Sequence, residues 1–191
     1  MARSSQPARD QIVAAAERLF AERGIEGPTL REIGAAAGQR NNSAVQYHFG
    51  DRLGLLTAVL RPHLDSLDAQ RAELLHEARA RGSVGLADLV EVAVRPLAAK
   101  LGDPSGVRYL QIQAALLATD RAGPMAPGLA EAWRRPTMLA LVDEMADVLE
   151  PLGPTEGEAR RLLAVTMLFN GLANFASAHP DGAEQERAAY E

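Results

Sequence analysis

Apolar side chains return every third or fourth position along most of the chain, and no stretch shows the strict alternation of a half-buried strand. Ile12, Ala15, Ala16, Leu19 and Phe20 form one face of a first helix over 9–23. Arg9, Glu17, Arg18 and Glu22 are assigned to its other faces, and Gly24 ends it. Thr29, with Glu32 three residues later, has capping-box spacing and opens a second helix that turns Leu30, Ile33 and Ala37 inward. Gly38 closes that helix and is expected at positive φ. A short third helix starts at Asn42 or Ser43 and ends near Phe49, with Val45 and Phe49 as its buried pair. Asp51 reads as the N-cap of a fourth, which carries Leu55, Leu56, Val59 and Leu60. The two middle helices are too short to persist alone in water, so packing against each other must hold them.

The helical period continues beyond Pro62, where a kink is expected. Residues 63–80 continue the fourth helix with Leu64, Leu67, Leu74 and Leu75 on its apolar side. A fifth helix spans 83–101, interrupted by Pro96, and GDPSG at 102–106 reads as a loop. Residues 107–119 are almost uncharged, which implies burial on most sides. After the Gly/Pro-rich AGPMAPG come a helix over 129–149, the spacer LGPTEGE and a last helix over 161–176. The tail from His179 is polar and expected to fray. The fold class is all-α, with three N-terminal helices in a helix-turn-helix arrangement.

Composition narrows the chemistry. The 191 residues are 47% hydrophobic and 24% charged, with no cysteine, so disulfides, thiolate catalysis and cysteine metal sites are excluded. No signal-peptide run and no apolar span long enough for a membrane stand out, so a cytoplasmic protein without a membrane partner is expected. The net charge of −5 argues against nucleic acid until it is divided. Residues 1–62 carry eight arginines against six carboxylates, and 63–191 carry twelve basic against nineteen acidic side chains. A mildly basic head on an acidic body orients the head toward phosphate.

With only 4% aromatic residues, the body has few large anchors, and pairing with a second copy would complete its core. Leu139, Val142, Leu149, Leu162, Val165, Leu168, Phe169 and Leu172 are the candidate face, although an intramolecular core explains them equally well. A two-fold pair of heads would reach successive major grooves about 34 to 36 Å apart.

Arg40, Asn41, Asn42, Ser43 and Gln46 cluster at the start of the third helix, the end that a helix-turn-helix inserts into the major groove. Asn and Gln pair bidentately with adenine, Arg with guanine, and Ser with a phosphate or a base edge. A polar turn followed by a cap is the alternative reading of the same residues. Tyr47, His48 and Arg52 form a second group suited to phosphate oxygens. Arg52 opposes the dipole at its helix's first turn unless an anion offsets it. Thr29 and the amides behind it also suit a phosphate, while capping alone explains that threonine.

Residues 9–60 resemble the DNA-binding domain of the TetR family, the tetracycline-repressor-like regulators of bacteria. The resemblance is carried by Ala15, Leu19, Phe20, Gly24, Thr29, Ile33, Ala37, Gly38, Phe49, Arg52 and Leu55. Two departures accompany it. Gln46 stands where the family has tyrosine, with Tyr47 one residue later, and ten residues separate Gly38 from Phe49, one more than is usual. By the resemblance, Gln46, His48 and Arg52 match backbone-contacting positions, and 40–43 occupy the base-facing region.

The resemblance further implies a DNA-binding domain at 1–55 and a helical effector-binding and dimerisation domain at 56–191. The expected protein is a homodimeric repressor of a palindromic double-stranded operator, responsive to a small-molecule effector, with no cofactor and no catalysis. Tyr109, Gln113, Trp133, Met138 and Asn170 are the candidate ligand-binding residues, drawn from a wider set with Gln111 and Met125. Trp133 and the methionines also read as core filler or interface anchors. Gln113 and Asn170 interrupt apolar runs, where a buried amide needs partners. A small all-helical enzyme or a protein-interaction module is the alternative. Against an enzyme, His48, His63, His76 and His179 have no metal spacing, and Asp143 and Asp147 read as a solvated edge.

Overall fold

Thr29, Asp51 and three prolines set where most of the helices begin. The computed structural model describes residues 5–39, 41, 43–120, 134–149 and 154–178, and among these every regular element is helical. The elements are α1 (Ser5–Arg23), α2 (Leu30–Ala36), α3 (Ala44–Phe49), α4 (Arg52–Arg81), α5 (Leu86–Ala98), α6 (Pro104–Asp120), α7 (Pro136–Leu149) and α8 (Pro154–Ala178). A 3₁₀ turn, Ala99–Gly102, follows α5. Thr29 caps α2 through a complete capping box, and Asp51 caps α4 by accepting from the Gly54 amide at 2.8 Å.

Pro104, Pro136 and Pro154 are each the first residue of a helix. Their missing N–H is harmless there, because first-turn amides have no intrahelical acceptor. The last helix therefore starts at Pro154 rather than 161, and the expected loop at 102–106 shrinks around Asp103, which accepts from the Gly106 amide at 2.8 Å. The first helix likewise begins at Ser5. Residues 134–135, inside the helix expected over 129–149, are not helical, and α7 starts at Pro136; positions 129–133 lie outside the described residues.

Pro62 does not break α4, which runs for 30 residues. It sits on an exposed face, where water can serve the carbonyl that loses its amide partner. The division expected after residue 55 falls inside this helix, so α4 belongs to head and body alike. The core is continuous across them: Ile12, Phe20, Ile33, Val45 and Leu55 join the same apolar cluster as Leu60, Leu67, Tyr109 and Leu110. Helix α1 packs against α4 and α6, which seats the head on the body. A second cluster, Leu75, Leu89, Val92 and Leu141, ties the far end of α4 to α5 and α7.

Candidate nucleic-acid interface and internal cavity

Three helices present α3 at the surface, and the turn between α2 and α3 decides how. Gly38 has φ 69°, a left-handed conformation disfavoured for side-chain-bearing residues, and its amide donates to the Ala35 carbonyl at 3.0 Å. Gly34 lets α3 come close: a Cβ there would lie 3.3 Å from Val45 Cγ2. Asn41 folds the approach to α3, its Oδ1 accepting from the Ser43 amide at 3.0 Å and the Ser43 hydroxyl at 2.7 Å. Helix α3 then begins at Ala44 with Ser43 as N-cap.

Asn41, Ser43, Gln46 and Tyr47 are all exposed, Tyr47 to 83%. His48 is half-buried, with its ring edge-on to Tyr47 at 5.1 Å. Beneath them the Arg9 guanidinium covers the Phe49 ring at 5.3 Å, a cation–π contact that anchors the end of α3 to α1. Arg40 and Asn42 lie outside the described residues. Thr29 is exposed, and its amide, then its hydroxyl, holds the Glu32 carboxyl below the ordinary glutamate range. Arg52 has partners within the chain: it donates to the carbonyls of Ile25 and, at 2.8 Å, Pro28, with the Glu26 carboxylate at 3.6 Å. Those acceptors offset the unfavourable dipole and clamp the loop between α1 and α2 onto α4.

Glu17 corrects the helical assignment made from the pattern. It is buried between head and body instead of lying on an outer face. Its carboxylate accepts from Ser105 Oγ at 2.6 Å, His63 Nε2 at 2.9 Å and Arg108 Nε at 3.0 Å, joining α1 to α4 and α6. Burial opposes its charge, yet these three donors hold the carboxyl below its ordinary value. On the other side of this cluster the His63 ring stacks on Tyr109 at 4.7 Å. Tyr109 is buried, which pushes its hydroxyl up to about 12, and meets Phe169 edge-on at 6.5 Å.

Tyr109 also lines a cavity of about 400 Å³ between α4, α5, α6, α7 and α8, partly open to solvent and bordered by residues of both apolar clusters, Leu64, Leu97 and Phe169 of the first and Leu141 of the second. Gln113 and Met138 line it too. Asn170 is not among its lining residues; its amide donates to the Thr166 carbonyl at 2.9 Å, one turn back along α8. Trp133 lies outside the described residues. Sequence reasoning missed Arg71, Asp68 and Arg135, which also line the cavity. Arg71 had a legible signal: it falls in register with Leu64, Leu67 and Leu75 on the apolar side of α4.

The residues of the candidate pairing face divide between the cavity and the surface. Val142, Val165, Leu168 and Phe169 line the cavity, and the side chains of Leu149 and Leu162 lie outside the described ones. Leu163, Met167 and Phe175 instead stand on the outer side of α8, 57%, 66% and 53% exposed, with Leu139 of α7 also exposed. Among the described residues no group of three His, Cys, Asp or Glu could hold a metal ion, and no helix is long and apolar enough to cross a membrane.

A short polar helix held outward by two bracing helices is the arrangement of helix-turn-helix DNA-binding proteins. Residues 12–59 match the model of the family described as bacterial regulatory proteins, tetR family. Over 69 residues it is 38% identical to the HTH-type transcriptional repressor AcnR of Corynebacterium glutamicum, covering 36% of this chain and 34% of that one. Over 76 residues it is 36% identical to the HTH-type transcriptional repressor KstR2 of Mycolicibacterium smegmatis, covering 39% and 37%. The match thus spans a little over a third of these curated relatives. Across 92% of this chain and 88% of the other, the fold resembles the crystal structure of a transcriptional regulator from Rhodococcus sp. Rha1, with 28% identity and a TM-score of 0.52.

Proposed function

We propose that this chain is a cytoplasmic, homodimeric transcriptional repressor that binds a near-palindromic operator and releases it when a small molecule fills the cavity. The observation that carries the reading is the exposed polar face of α3, braced by α2 and continuous through α4 with a body that holds a 400 Å³ cavity. Asn41, Ser43 and Gln46, with Arg40 and Asn42, are the residues offered to base edges; Thr29, Tyr47 and His48 are offered to phosphates. Arg52 contributes by fixing the loop behind α2, so that the helix entering the groove is rigidly backed.

Pairing through the outer side of α8 supplies the second head that a two-fold operator requires. Coupling to the effector runs along packed groups: a ligand against Tyr109 displaces the ring stacked on it, His63, whose nitrogen bonds Glu17 of α1. Driving such a two-state system from nearly all competent to nearly all incompetent takes about 5.5 kcal/mol of differential affinity. Burying an apolar ligand body can contribute that where one or two hydrogen bonds cannot.

Selection of bound duplexes from random DNA, followed by gel-shift titration across salt, tests the reading. A near-palindromic consensus with steep salt dependence is the expected result. Neither specific nor non-specific binding at low salt would overturn it.

A further inference from the structure

Arg71 is 7% exposed, and its guanidinium faces a cavity with largely aliphatic walls. Among the described residues no carboxylate reaches it at ion-pair distance. Its contacts are long ones, Nη1 to the Met138 sulfur at 3.6 Å and Nη2 to the Ala93 carbonyl at 3.4 Å, and its Nε has no acceptor. Asp68, the nearest acidic candidate on α4, accepts instead from the Met138 amide at 3.0 Å. Burial pushes the Arg71 pKa down, with Tyr109 and Asp68 opposing, but a guanidinium keeps its proton. A buried cation without a counter-charge is costly unless something supplies the charge.

Gln113 adds a second unmet demand. It is 1% exposed; its Nε2 donates to the Tyr109 hydroxyl at 2.9 Å, and its Oε1 has no partner among the described residues. Turning the amide over places its N–H₂ toward the cavity and lets Tyr109 donate to the carbonyl, so the pair can meet an acceptor as readily as a donor. Arg135 and Arg160 also line the cavity, but each has a carboxylate, Asp65 at 2.7 Å and Glu156 at 2.6 Å. The charge with no carboxylate at ion-pair distance among the described residues therefore sits at Arg71, in a largely apolar space whose other polar lining is Asp68, Gln113, Arg135 and Arg160.

We propose that the cavity takes a monoanionic amphiphile, an aliphatic carboxylate whose head bonds Arg71 and Gln113 while its chain lies along Leu86, Val90, Val94 and Met145. The assignment rests on the reading of the cavity as the effector site, and it names the chemical class of that effector. Its volume is at the lower end of small-molecule sites, about 300 to 1,000 Å³, which suits a medium-length chain.

Calorimetric titration of the full chain, without DNA, with octanoate, decanoate and dodecanoate, and with decan-1-ol and decylamine as controls, tests the class. Carboxylate affinity is expected to exceed that of the equal-length alcohol by about 10- to 100-fold, the value of a charge-assisted hydrogen bond. Arg71→Met should erase that difference while alcohol affinity stays within about threefold of the wild type. Should that variant fail to fold, the wild-type preference for carboxylate over alcohol and amine decides alone. Equal or tighter binding of decan-1-ol or decylamine, unchanged discrimination in Arg71→Met, or no carboxylate binding at all overturns the proposal. Adding the bound carboxylate to a preformed operator complex separates the two readings: binding without release keeps the ligand class and removes the effector role.

Discussion

Glu17 concentrates what single residues do here. A carboxylate with three donors, one from α4 and two from α6, is both an adhesive and a liability, since its charge must survive burial. Its native pKa lies below the ordinary value of 4.5, so its stabilising contribution is complete above that pH and declines as the pH falls through the native value. Glu17→Gln should therefore lower neutral-pH stability by about 1–3 kcal/mol and flatten the loss of stability below pH 4.5. Thermal unfolding across pH checks both, and an acid limb parallel to the wild type would show that other carboxylates set it. The sequence pattern placed Glu17 outside because charged residues are mostly exposed. Its three partners come from positions 46, 88 and 91 residues away, beyond the reach of any local pattern.

At the level of the helix, local chemistry was far more legible. The capping box at Thr29, the Asp51 cap and the positive φ of Gly38 all follow from residues within a few positions of one another. The prolines were misread for a physical reason: Pro104 and Pro154 punctuate composition like loop residues, yet the first turn of a helix tolerates them best. Arg52 marks where local reading ends. Its place in the first turn of α4 suggested a phosphate partner, whereas its two carbonyl acceptors lie 24 and 27 residues away. Arg52→Ala should destabilise the protein by about 1.5–3 kcal/mol through loss of those charged hydrogen bonds. Unfolding monitored by circular dichroism gives the number; weakened DNA affinity at unchanged stability would instead mean that Arg52 acts directly on phosphate.

For the whole molecule, the proposed pairing surface is the outer side of α8. Leu163 and Met167 are one turn apart and well exposed, so glutamate at both positions leaves the fold intact and burdens a paired face with buried charge. The Leu163→Glu/Met167→Glu chain is expected to run as a monomer in light scattering and to lose about 100-fold or more of its operator affinity, as one head replaces two. A dimer that persists in this variant would place the pairing surface elsewhere. The periodicity of α8 signals an apolar helix but leaves pairing face and core equally open, because both sides of the helix carry large apolar residues.

By itself the sequence determined the all-helical class, the order and capping of the N-terminal helices and the polar tip of α3. These depend on interactions within a turn or two, where spacing along the chain and distance in space are nearly the same quantity. Only the tertiary structure decided that Glu17 and Arg71 are buried, that Tyr109 and Gln113 border empty space, and which stripe of α8 is left outside. A cavity, a buried charge and an outer face are properties of how distant segments pack, and periodicity says that a side is apolar without saying what it meets.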